Sequence, residues 1–349
     1  MITNEFYDTP IQGAYELYEL GDLLLECGET LRDAKLAYRT FGTLNADKSN
    51  VILVTTWFSG TGLVMEGVYI GEDHALDPSK YFIVVADQLG AGTSSSPHNT
   101  RAPQAMGKFP SLSIGDDVAA QHKLLTEHFG IDKLAMVVGG SMGGQQVYEW
   151  AVVHPEMVER AAPIAATARA SLHQKVFVRA LEEAITSDPA WNNGWYASGL
   201  NVRDGMDRMA RIVSTLGWSR EFYQEERWRT VLGMSSLDDF INGFMKAYFE
   251  PMDPNALLCE MHKWQRADVG RHEGGNLAMA LARVTAKTCV MPIDHDLFFP
   301  PNECEEDCQK IAGATLSVIE SKDGHFALNG IEPNYMAQVD AALGELLAT

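Results

Sequence analysis

At 349 residues, with 46% hydrophobic side chains, the chain has the composition of a globular protein with a large core. Its 47 acidic residues against 27 basic ones give a formal charge of −20, which excludes the lysine and arginine surplus that nucleic acid or an anionic membrane requires and favours neutral small molecules. No apolar run approaches the roughly 18 to 20 residues of a membrane span.

The opening MITNEFYDTPIQ has no basic or apolar segment of the secretory kind, and the five cysteines at 27, 259, 289, 304 and 308 are odd in number and scattered. Reduced thiols in a cytoplasm are the expectation. Cys304 and Cys308 stand four apart, but with Glu305, Glu306 and Asp307 between them they read as a solvated acidic turn rather than a metal site. Neither a metal nor a cofactor is expected.

Between Glu16 and Tyr38, apolar and polar residues alternate around Gly21 and Gly28, which predicts edge hairpins. Val51 to Thr56 is a short β-branched run without alternation, as a parallel strand covered on both faces requires. It ends in Trp57-Phe58-Ser59-Gly60. Tyr81 to Ala86 is a second buried strand, and the Gly/Ser-rich stretch Asp87 to Pro97 after it lacks the lysine of a phosphate-binding loop, so it reads as a loop lining the mouth of a site. Pro110 to Phe129 has helical spacing.

Leu134 to Val138 then forms a strand, Gly139 to Gly144 breaks it, and a helix opens from Gln145. Gly139, Ser141 and Gly143 spell G-x-S-x-G at a strand-to-helix turn, the geometry that lifts a strained serine above a sheet edge. Ser141 is the candidate nucleophile. Val158 to Ala166 supplies another strand, after which residues 170–283 are helix-rich and hold most of the tryptophans, predicting an inserted helical cap. The division expected is a core of residues 1–169 and 284–349 with a cap of 170–283.

The sheet resumes at Thr288 to Ile293, followed by Asp294-His295-Asp296, and at Thr315 to Ile319, followed by a loop holding His325. The order Ser, Asp, His brings a nucleophile, an orienting acid and a base to one edge of an α/β fold with a mostly parallel sheet covered by helices on both faces. Spacing alone leaves Asp294 and Asp296 equivalent. The other nine histidines read as surface or hydrogen-bonded side chains.

These residues resemble the homoserine O-acetyltransferases and their esterase-like relatives in the α/β-hydrolase superfamily. The likeness runs from LAYRTFGTLN through FPSLSIGDDVAAQ, GGSMGGQQVYEWA and SDPAWNNGWY to the DLFFP and DGH segments. It implies Ser141 as nucleophile, Asp296 as acid, His325 as base, and the Phe58 and Met142 amides as the oxyanion hole. It also implies Trp57, Arg211, Trp218 and Phe326 around the substrate, and a homodimer through the cap helices. The transferases read GHDAFL at the base, whereas this chain reads GHFALN, so Phe326 stands in place of an acid that would meet the homoserine amine. A cationic amine is costly to desolvate without a counter-ion. The expectation is therefore a serine esterase acting on short acyl esters, acetates above all, of uncharged alcohols. The alternative is a homoserine O-acetyltransferase using acetyl-CoA as co-substrate by a ping-pong route, which Arg211 would support.

Overall fold

In the computed structural model, which describes residues 1–349, the apolar runs assemble into one eight-stranded sheet. The strands are β1 (Glu16–Leu24), β2 (Thr30–Phe41), β3 (Val51–Thr55), β4 (Phe82–Ala86), β5 (Met136–Gly140), β6 (Arg160–Ile164), β7 (Lys287–Val290) and β8 (Thr315–Leu316). Their order across the sheet is β1-β2-β4-β3-β5-β6-β7-β8, antiparallel at β1, β2 and β4 and parallel from β4 to β8.

Successive side chains of a strand point to opposite faces, and here both faces are buried. Val51, Leu53, Val84 and Val137 face one core, shared with helices α2 (Ile114–Lys123) and α3 (Met142–Val153). Ile52, Val54, Ile83, Val85 and Val138 face another, shared with α1 (Gly62–Tyr69) and α8 (Pro333–Leu347). This double cover is why β3, β4 and β5 read as continuous apolar runs. Helix α2 starts on a capping box between Ser113 and Asp116 and widens into a π-helical turn at Leu124–His128, so the expected helix holds but changes pitch at its end.

From Leu172 to Leu281 the elements are all helical, the longest being α4 (Leu172–Thr186), α5 (Arg203–Gly217) and α6 (Pro254–Arg266). Their apolar faces form a third core with Phe58, Phe298 and Phe299 from the sheet's loops and Met142 from the start of α3. Trp218 and Trp264 lie fully inside it, each worth about 3 kcal/mol or more of transfer free energy by area. The 304–308 segment differs from expectation. It forms the last turns of helix α7 (Pro301–Cys308), with Cys304, Asp307 and Cys308 buried, because Asp307 accepts from the backbone N–H of Ala168 at 2.8 Å and the cysteines pack as small apolar groups. His98 also departs from the surface reading: it is buried and stacked on Tyr7.

Candidate active site

Strand β5 runs straight into α3 with Ser141 at the joint, held at φ 54° and ψ −125°, a conformation costly for any residue with a Cβ. Two things over-determine it. The Ser141 N–H donates to Ile164 O on the neighbouring strand at 2.9 Å, and the turn packs without side chains: a Cβ on Gly139 would lie 2.1 Å from Thr55 Oγ1, and one on Gly143 2.6 Å from Thr55 O. The two glycines of the motif are thus needed for close approach to β3.

Ser141 Oγ lies 2.9 Å from His325 Nε2, and His325 Nδ1 lies 2.7 Å from Asp296 Oδ2. An ionised carboxylate can only accept, so Nδ1 carries the proton and Nε2 is left free to take the one on Ser141. The second Asp296 oxygen accepts from the N–H groups of Phe298 and Phe299 at 2.7 and 3.0 Å, which pins the carboxylate without competing for the imidazole. Asp294 is turned elsewhere: one of its oxygens accepts from Ser321 N–H and sits 2.9 Å from His295 Nδ1. The geometry thus separates two acids that spacing left equivalent.

The N–H groups of Phe58 and Met142 donate to no protein acceptor. Met142 is the first residue of α3, so its amide also carries the positive end of that helix. The turn bearing Phe58 is braced from below. Gln88 Nε2 donates to Thr56 O and Trp57 O at 2.9 and 3.2 Å, and Gln146 Nε2 donates to Thr56 O at 2.9 Å. Gln88 is in turn held by the fully buried Lys263, whose Nζ donates to Gln88 Oε1, Leu89 O and Asp117 Oδ2 at 2.7 to 2.8 Å.

A cavity of about 30 Å³ stands over Ser141, lined by 13 residues that include Trp57, Phe58, Ser59, Val213, Tyr248, His325, Phe326 and Asn329. None of the 13 carries a carboxylate, ammonium or guanidinium group. A second, apolar cavity of about 180 Å³ adjoins it, and the two share Tyr248, Phe326 and Asn329.

Several expected positions fall differently. Arg211 is exposed and outside both cavities, because the inward stripe of α5 is Met206, Met209, Ala210 and Val213, which leaves position 211 on the outer face. Trp218 does not line the wall either; it is buried behind Phe326 and stacked on it with ring centroids 5.0 Å apart. The 87–97 loop is no mouth. Asp87, Gln88, Leu89 and Ser94 are buried, and Ser94 accepts from Ala37 N–H at 2.9 Å, so the loop is a packed support beneath the Phe58 turn.

The residues that sequence reasoning missed are Gln88, Gln146, Lys263 and Glu260. One signal was available: Leu257, Glu260, Met261 and Trp264 follow the i, i+3, i+4, i+7 spacing of a buried helix stripe, which places an acid where an apolar residue belongs.

The family model for the alpha/beta hydrolase fold matches residues 50–328. An ethyl acetate hydrolase of Pseudomonas veronii is 51% identical over 346 residues, 99% of each chain. A homoserine O-acetyltransferase of Thermobifida fusca is 33% identical over 353 residues, 93% of this chain and 91% of that one. Among solved structures, an acetylester hydrolase of Corynebacterium glutamicum superposes with a TM-score of 0.98 at 48% identity, covering 100% of both chains.

Proposed function

The chain belongs to the α/β-hydrolase family, and on that premise we propose that it is a serine esterase cleaving acetate esters of uncharged alcohols at Ser141. The observation that carries the reading is the pocket wall: no charged side chain meets the substrate, while a serine, a base and two free amides converge on it.

Ser141 Oγ attacks the ester carbonyl as His325 Nε2 takes its proton, and Asp296 stabilises the imidazolium that forms. The carbonyl oxygen becomes anionic between the Met142 and Phe58 N–H groups. Collapse breaks the bond to the alcohol oxygen; the alcohol leaves with the proton from His325, and the acetyl group stays on Ser141 Oγ. Water then repeats the sequence with His325 as its base. About 30 Å³ over Ser141 admits about two water-sized groups, which suits an acetyl rather than a long acyl chain. A longer alcohol chain has room past Phe326, in a cavity comparable to those that hold a benzene ring, about 150 Å³.

The transferase reading loses its footing with Arg211 on the outer surface and no acid in the pocket to meet an ammonium group. The test is hydrolysis of ethyl acetate with water as acceptor, side by side with homoserine. Turnover that requires homoserine would overturn the esterase reading.

The proposal extends to organisation: a core of residues 1–169 and 284–349 roofed by a cap of 170–283, a dimer through the cap helices, and a cytoplasmic location. Leu172 and Val176, exposed one turn apart on α4, support the dimer, and five free cysteines support the location. No helix is long and apolar enough to cross a membrane.

Phe326 supplies a further test. Half-buried, it packs between Trp218 and the cavity, so Phe326→Asp puts an ionised carboxylate where an apolar alcohol group must sit. The expected result is a loss of about 10- to 100-fold in kcat/KM for ethyl acetate. Unchanged kinetics would show that Phe326 does not face the substrate.

A further inference from the structure

The oxyanion turn is held from above as well as below. Ser59, the residue after Phe58, sits at φ 63°, a left-handed conformation that a serine adopts only under constraint. Its N–H points between the two carboxylate oxygens of Glu260, at 3.3 and 3.2 Å, and its Oγ lies 3.3 Å from Tyr248 Oη. Glu260 is 1% exposed and has no cation within ion-pair distance; the nearest, Lys263, is occupied by Asp117, Gln88 and Leu89. A buried acid without a counter-ion is expensive, and the esterase chemistry described above makes no use of its charge.

Glu260 and Lys263 are one turn apart on α6, and between them they grip consecutive peptide groups. Lys263, through Gln88, fixes the carbonyl of the Trp57–Phe58 peptide, whose N–H is the Phe58 donor. Glu260 fixes the N–H of the next peptide. With both planes set, the direction of the Phe58 N–H is set before substrate arrives, and it is this preorganisation that makes a donor effective.

We propose that Glu260 is a positioning residue for ester hydrolysis, orienting the Phe58 amide through its hydrogen bond to Ser59. The role rests on the esterase reading and adds a pH dependence to it. Burial, the largest influence, pushes the Glu260 carboxyl up to about 8, with Lys263 opposing. The other groups facing it are Asp117 from α2, Asp87 from the loop after β4, and Tyr7 and Tyr248, none of which is cationic. Below about pH 8 the carboxyl is neutral and its carbonyl oxygen accepts from Ser59. Above it, the turn gains a negative charge in a dry enclosure next to the point where the ester oxygen must itself become negative. Like charges disfavour that step, so the rate falls as pH rises through the Glu260 titration.

The test is kcat and KM for ethyl acetate from pH 6 to 10 in the wild-type enzyme, Glu260→Gln and Glu260→Leu. Glu260→Leu is expected to lose on the order of 10- to 100-fold in kcat with KM moved less than about threefold, since the affected donor acts on the transition state. Glu260→Gln, which keeps an acceptor oxygen for Ser59, is expected to recover most of that loss and to lack the fall in rate above pH 8. A folded Glu260→Leu enzyme with wild-type kcat, or a Glu260→Gln profile that still falls like the parent's, would overturn the assignment. Either result, with wild-type turnover of ethyl acetate intact, removes Glu260 and leaves the esterase reading standing.

Discussion

Ser141→Ala is expected to lower kcat for ethyl acetate by on the order of 10⁵- to 10⁶-fold while the protein stays folded. The magnitude follows from the nucleophile's place in a unit: without Oγ, His325 has nothing to deprotonate but water, and the two amides can only polarise a carbonyl that no serine attacks. Structure should survive because the strain at φ 54° is sustained by the Ile164 hydrogen bond and by packing against Thr55, neither of which involves the hydroxyl. Loss of covalent labelling by an organophosphonate, with unchanged thermal unfolding, would accompany the loss of rate. Retention of more than about a hundredth of the parent kcat would place the nucleophile elsewhere.

The second large effect separates two neighbouring acids. Asp296→Asn is expected to cost on the order of 10⁴-fold in kcat, because an amide can present its N–H₂ to His325 Nδ1 and reverse the tautomer. Asp294→Asn should stay within about tenfold. Its partners are Ser321 N–H and His295, and an amide oxygen still accepts from Ser321. Steady-state kinetics on the two purified variants decides the matter, and equal losses would refute the choice of Asp296.

How far the site could be read from the chain depends on how local its determinants are. The elbow is encoded within six residues, since a G-x-S-x-G break between an apolar strand and a helix has few other uses, and the topology of a parallel sheet then brings a late acid and a late histidine to the same edge. The choice between Asp294 and Asp296 depends on which carboxylate is met by the Phe298 and Phe299 amides, a matter of loop conformation that spacing does not encode. Arg211 shows two signals in conflict. A motif match points it at the substrate, while the apolar phase of its own helix turns it outward, and the phase prevails because Met206, Met209 and Val213 must be buried. The 87–97 stretch reads as a surface loop by composition, yet its serines spend their hydroxyls on backbone groups, as Ser94 does on Ala37 N–H and Asp87 O. Polar residues so satisfied can be buried at little cost.

The grip of α6 on the Phe58 turn also bears on motion. Helices that cover an active site are commonly thought of as lids that swing away to admit substrate and release product. Here the same helix supplies Glu260 to Ser59 and Lys263 to Gln88, so a displacement that lifts α6 breaks both holds on the Phe58 turn and parts the buried Lys263–Asp117 pair. On the proposed role of the Phe58 amide, moving α6 would disable that donor. Phe326, Tyr248 and Asn329, which line both cavities, lie on other elements, so their side chains can rotate without disturbing that grip.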